Sequence, residues 1–134
     1  MIVLDEHLND ARLEDALSHW YPGQIIHLKT LRPKTLIKDD AVATLLFKLK
    51  QPTFVTINWT DFWRQISADK RYCVVCFALS LNQADKLSDL LRSVFKLEQF
   101  KTKNSRMGKV ARVLHTSLQF YSVNDPTMYS VKIS

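Results

Sequence analysis

Strand-like apolar runs alternate with segments of helical spacing through the first half of this chain, and no other feature limits its fold so strongly. Ile2-Val3-Leu4 is the first run; Leu8, Ala11, Leu13, Ala16, Leu17 and Trp20 then recur at helical spacing until Tyr21-Pro22-Gly23 stops them. Ile25-Ile26-His27-Leu28 reads as a second strand, and Leu31-Arg32-Pro33-Lys34 as a loop, since a proline biases its predecessor away from helix. An amphipathic helix starts near Asp39 and ends before Pro52, and Thr53-Phe54-Val55-Thr56-Ile57 is the third strand. Strand, helix, strand, helix, strand in this order implies crossover connections, hence a parallel sheet flanked by helices.

The second half continues the pattern and then leaves it. Cys73 to Leu79 is apolar along its length, as expected of a strand covered on both faces. Ser80-Leu81-Asn82-Gln83 can cap a helix whose stripe is Ala84, Leu87, Leu90, Leu91, Val94, Phe95 and Leu97. Residues 109–114 and 117–123 read as a hairpin around His115-Thr116, and from Asn124 the chain carries Pro126 without clear periodicity. The expectation is a three-layer α/β fold with a mainly parallel central sheet and a C-terminal β-hairpin, one domain over 1–123 followed by a tail over 124–134.

At 134 residues and 46% hydrophobic, the chain can bury a core of its own. Met1-Ile2-Val3-Leu4-Asp5 has no basic leader and meets acid early, and no apolar run approaches the roughly 20 residues of a membrane helix. The expected location is therefore the cytoplasm, away from membrane. Cys73 and Cys76 are spaced as in redox pairs and half zinc sites. On a strand, however, that spacing sends the two thiols to opposite faces, which makes them reduced core residues.

The formal charge of +6 is unevenly spread. From Arg92 to Arg112 the basic residues Arg92, Lys96, Lys101, Lys103, Arg106, Lys109 and Arg112 are opposed only by Glu98, whereas the first fifteen residues hold Asp5, Glu6, Asp10, Glu14 and Asp15. Such a basic segment either is a solvated surface or contacts polyanions, with Lys101, Lys103, Arg106, Lys109 and Arg112 as the candidate phosphate contacts.

Acids recur where a parallel sheet would gather them. Asp5 and Glu6 follow the first strand, Asp39 and Asp40 open the second helix, and Asn58 and Asp61 follow the third strand. In open α/β sheets ligands bind beyond the carboxyl ends of the strands. A set of carboxylate and amide oxygens there suits a hard divalent cation such as Mg²⁺ or Mn²⁺. Each residue also has a structural role available: Asp39 as a helix cap, Asn58 and Asp61 as turn formers, Asp5 and Glu6 as the acidic start of a helix. Trp59, Phe62 and Trp63 either stack on nucleic-acid bases or pack their loop onto the domain.

The segment Val55-Thr56-Ile57-Asn58-Trp59-Thr60-Asp61-Phe62 fits a TxNxxDF pattern that resembles PIN-domain ribonucleases, including the toxin members of bacterial toxin-antitoxin pairs. Asp39-Asp40-Ala41-Val42-Ala43-Thr44 resembles the Asp-led helix preceding that motif in the same family. Leu4-Asp5-Glu6-His7-Leu8 resembles the opening of its short PIN-like bacterial branch.

The resemblance implies a PIN-like fold and a Mg²⁺- or Mn²⁺-dependent ribonuclease acting on single-stranded RNA. By position, Asp5, Asp39 and Asp61 match metal-ligand acids, and Asn58 completes the catalytic set. Glu6 and Asp40 would orient metal-bound water. It also implies an antitoxin protein as partner, if the chain is a toxin, and a homodimer. Longer PIN enzymes carry a further Glu between the first strand and the Asp-led helix, whereas Pro22 to Lys38 contains no acid here. That departure keeps a second reading in view: a catalytically inactive PIN-like domain that binds RNA or protein.

Overall fold

The computed structural model describes residues 1–5, 8, 10–28, 39–57, 60–79 and 83–133, with the side chains of 39–41, 60–62 and 84 outside that set. Strand β1 (Ile2–Leu4) leads to helix α1 (Ala11–Ser18), β2 (Ile25–His27), α2 (Asp39–Leu46) and β3 (Thr53–Thr56). A 3₁₀ helix (Thr60–Gln65) precedes β4 (Cys73–Phe77), followed by α3 (Ala84–Val94), a short α4 (Lys103–Arg106), β5 (Lys109–Val113), β6 (Ser117–Ser122) and β7 (Asp125–Lys132). The cap expected from Ser80 to Asn82 lies outside the described residues.

Among the described residues the strands form one seven-stranded sheet in the order β2-β1-β3-β4-β5-β6-β7. β2 through β5 pair in parallel, and β6 and β7 extend the sheet antiparallel. The β5–β6 hairpin closes where Leu114 N–H donates to the Ser117 carbonyl at 2.8 Å, around the expected His115-Thr116.

Strand alternation divides the core into two layers. On the first face Ile2, Leu4, Val55, Val75, Phe77 and Val113 pack under Leu13 and Leu17 of α1 and Leu87, Leu91 and Val94 of α3. On the second face Val3, Phe54, Val74 and Val110 pack under Val42, Leu45 and Leu46 of α2 and under Trp63 of the 3₁₀ helix. The result is a three-layer α/β arrangement. Trp20 ties the first layer together by donating from its indole Nε1 to Ser88 Oγ at 2.9 Å.

The faces also fix the hand of the connections. α1 lies on the first face while the chain steps from β1 to β2; α2 and the 3₁₀ helix lie on the second while it steps the opposite way, to β3 and then β4. These three share one hand. From β4 to β5 the chain again steps the second way, yet α3 is on the first face beside α1, so this crossover has the opposite hand. The right-handed preference of such units is strong, which makes this the unusual connection in the sheet.

The segment from Asn124, expected to be an aperiodic tail, is instead paired. β7 lies antiparallel to β6 with Leu118 opposite Val131 and Phe120 opposite Tyr129. Most of its residues are exposed on either face, so no hydrophobic period marks it. Pro126 is tolerated because β7 is an edge strand and its missing N–H interrupts no ladder beyond it. Asp125 stabilises the entry, its carboxylate accepting from Thr127 N–H and the Tyr129 hydroxyl.

Cys73 and Cys76 are buried, reduced, and divided between the two core layers, as the strand spacing predicts. Burial pushes the Cys73 thiol up to about 12 and raises that of Cys76 as well. Because the thiolate is the reactive form, a thiol reagent such as DTNB should label neither cysteine in the native protein and both after unfolding. Rapid labelling of the native chain would contradict the burial of β4. No helix of the described residues is long and apolar enough to cross a membrane.

Candidate functional site

The order of the strands locates the place where a ligand would sit. The chain leaves β1 for β2 on one side and returns with β3 on the other, while α1 and α2 cover opposite faces. The connections therefore diverge at β1 and β3, and it is beyond the carboxyl ends of strands at such a switch point that open α/β sheets hold their ligands.

Asp5 stands at this position. Its N–H extends the ladder by donating to the Val55 carbonyl at 3.0 Å, and its own carbonyl accepts from Leu8 N–H at 2.8 Å. Following Val3 by two residues, it faces the layer covered by α2. Only 5% of its surface is exposed. The hydroxyl of Thr56, the last residue of β3, donates to Asp5 Oδ2 at 2.7 Å. An acid buried at the end of a strand and held by a neighbouring hydroxyl satisfies the requirement that buried polar groups be bonded, and the hydroxyl sets the plane of the carboxylate.

Other expected site residues are described through their backbone. Asp39 is the first residue of α2. The far end of that helix lies near the amino ends of the strands, where the Phe47 ring stacks on Tyr72 with centroids 5.9 Å apart. Eight residues of helix span about 12 Å, so α2 begins toward the same edge as Asp5. Asp61 belongs to the 3₁₀ helix that follows β3. The side chains of Asp39, Asp40 and Asp61, and the whole of Glu6, His7 and Asn58, lie outside the described residues. Among the described residues no group of three His, Cys, Asp or Glu side chains is placed to hold a metal ion.

Thr56 was not singled out as a site residue in the sequence, although a signal was present. It follows Phe54 at strand period, which turns a hydroxyl into a buried layer, and a buried hydroxyl needs a partner. Trp63 is buried in the second layer, and its carbonyl accepts from the Tyr121 hydroxyl at 2.8 Å, so of the two roles open to it the packing role holds. Trp59 and the Phe62 side chain lie outside the described residues.

The basic segment is divided by the sheet. β5 runs parallel to β1, so α4 and the start of β5 lie at the edge opposite Asp5. Lys101, Lys103, Arg106 and Lys109 therefore do not border Asp5. Arg106 is buried as well: it donates from Nη1 to the Phe100 carbonyl at 3.0 Å and lies 4.1 Å from the Phe95 ring centroid. Burial lowers its pKa, and it acts as a packing residue. Lys109 donates to the Ser105 carbonyl, and Lys101 approaches Glu98 at 3.9 Å.

Arg112 is the exception. The register carries a single line across the second face from Thr56 through Cys76 and Arg112 to Gln119. Arg112 donates from Nε to Gln119 Oε1 at 3.1 Å, and its guanidinium lies 5.2 Å from the centroid of Trp63. Between the two charges sits the Cys76 thiol, raised chiefly by burial, further by Asp5, and lowered by Arg112. Comparison with protein-family models, curated proteins and solved structures finds no match to this chain.

Proposed function

We propose that this chain is a PIN-like, divalent-metal-dependent ribonuclease cutting single-stranded RNA. The observation that carries the reading is the buried Asp5 carboxylate, held by Thr56 at the carboxyl ends of β1 and β3, where the connections diverge. In this reading Asp5, Asp39 and Asp61 hold Mg²⁺ or Mn²⁺ beside Asn58. An ion held by these residues would supply positive charge beside the scissile phosphate and the attacking water. Thr56 keeps the Asp5 carboxylate in one orientation, so that little reorganisation is needed when the ion and substrate bind. Glu6 and Asp40 are positioned in sequence to orient the attacking water. If the chain is a toxin, a small antitoxin protein would cover this acidic edge.

Mixed-sequence single-stranded RNA incubated with the protein in Mn²⁺ should be cut, and excess chelator should abolish cutting. Cutting that survives chelator would overturn the metal-dependent reading. RNA that is bound but left intact in Mn²⁺ would select the second reading, an inactive PIN-like RNA-binding or protein-interaction domain. The absence of acid from Pro22 to Lys38 is the feature that favours this alternative.

A further inference from the structure

We propose that the open second face of β5, β6 and β7 is a seat for the sugar-phosphate backbone of a single-stranded nucleic acid, formed by Arg64, Arg112, Gln119, Ser130 and Lys132. The direction of the strand toward Asp5 rests on the nuclease reading; the binding surface does not.

The covering elements leave this surface open. α2 and the 3₁₀ helix bury the second face over β1, β3 and β4 and reach onto one end of β5 and β6, where Val110 and Tyr121 close the buried cluster. Beyond it Arg112 and Gln119 are half-buried, and Arg64, Ser130 and Lys132 are exposed. On the first face the same strands are closed by Leu118, Phe120 and Ile133. The register puts Gln119 opposite both Arg112 and Ser130, and Lys132 opposite Ser117, so these side chains share one surface. At roughly 4.8 Å per strand the open part begins about 14 Å from Asp5 and continues for a further 10 Å or so, room for several nucleotides at a stacked rise of roughly 3.4 Å.

Its charge is of one sign. Among the described residues Arg64, Arg112 and Lys132 have no carboxylate within ion-pair distance. The single acid of these three strands is Asp125, which is engaged by Tyr129 and Thr127. Tyr129 stacks on Phe120, on the opposite face of the sheet. Two of the cations are held ready: Arg64 lies 4.9 Å from the Tyr121 ring centroid and 5.7 Å from that of Trp63, and Arg112 lies 5.2 Å from Trp63. Arg112 also donates from Nε and Nη2 to Gln119 Oε1, and Arg64 from Nη2 to the Pro126 carbonyl at 3.5 Å, so both guanidinium groups are fixed in place while their remaining N–H groups can take phosphate oxygens.

The test is fluorescence anisotropy of a labelled 12-nucleotide mixed-sequence RNA, with chelator present, across a salt series. Arg64→Gln/Lys132→Gln should lose roughly tenfold in affinity and flatten the salt dependence by about two phosphate contacts, at an unchanged melting temperature. Lys48→Gln/Lys70→Gln removes equal charge from exposed positions elsewhere and should bind as wild type does. The proposal is overturned if the Arg64/Lys132 variant binds normally, if Lys101→Gln/Lys103→Gln carries the loss instead, or if the wild type does not bind. Loss of binding in the Arg64/Lys132 variant, from a wild type that never cuts in Mn²⁺, supports the surface and removes the nuclease reading. Metal-dependent cutting by wild type and variant alike, together with equal affinity for the RNA, does the reverse.

Discussion

Asp5→Asn is expected to lower metal-dependent RNA cleavage by roughly a hundredfold or more, about 2.7 kcal/mol of transition-state stabilisation, while leaving the fold in place. Asparagine has nearly the shape of aspartate and retains an oxygen to accept the Thr56 hydroxyl, so the bond that now measures 2.7 Å has a successor. What it lacks is the negative charge that a hard cation requires of its ligand. Asp5→Ala would confound the two roles, because it also removes the acceptor of a buried hydroxyl, a loss of about 1–3 kcal/mol in its own right. Cleavage rates and thermal melts of the two variants side by side separate chemistry from stability. Cleavage by Asp5→Asn at the wild-type rate would remove Asp5 from the site.

The largest effect on stability is expected at Phe77. This side chain is fully buried at the end of β4 in the first layer, among residues contributed by both α1 and α3. Phe77→Ala should cost about 3–5 kcal/mol, through lost burial and the cavity left behind. A whole domain is commonly stable by only about 5–15 kcal/mol, so a shift of this size is readily seen in urea or thermal unfolding. Phe47→Ala is the contrast: Phe47 is 37% exposed and rests between Tyr72 and the guanidinium of Arg71, so its loss should be much smaller. Equal costs at the two positions would mean that the core is not where β4 places it.

What could be read from the sequence followed from local periodicity. The crossovers and the opposite orientations of Cys73 and Cys76 are consequences of periods of 3.6 and 2 residues, and they appear in the structure. Features set by distant contacts were not legible. β7 is a strand because β6 pairs with it, although its own residues are exposed on both faces and carry no stripe. Arg106 belonged to an apparent charge run, yet the Phe95 ring and the Phe100 carbonyl make it a buried residue. Periodicity also could not decide whether β3 would pair with β1 or with β2. That choice, made in the fold, puts Thr56 beside Asp5 and sends most of the basic segment to the opposite edge.

Direct Mn²⁺ uptake tests whether Asp5 holds a catalytic divalent ion without relying on a chosen RNA. Electron paramagnetic resonance of free Mn²⁺, titrated with wild type and Asp5→Asn, reads binding to each. Saturable uptake by the wild type and at least tenfold weaker uptake by the variant are expected. Equal uptake by the two proteins, or none by the wild type, would contradict that role of Asp5.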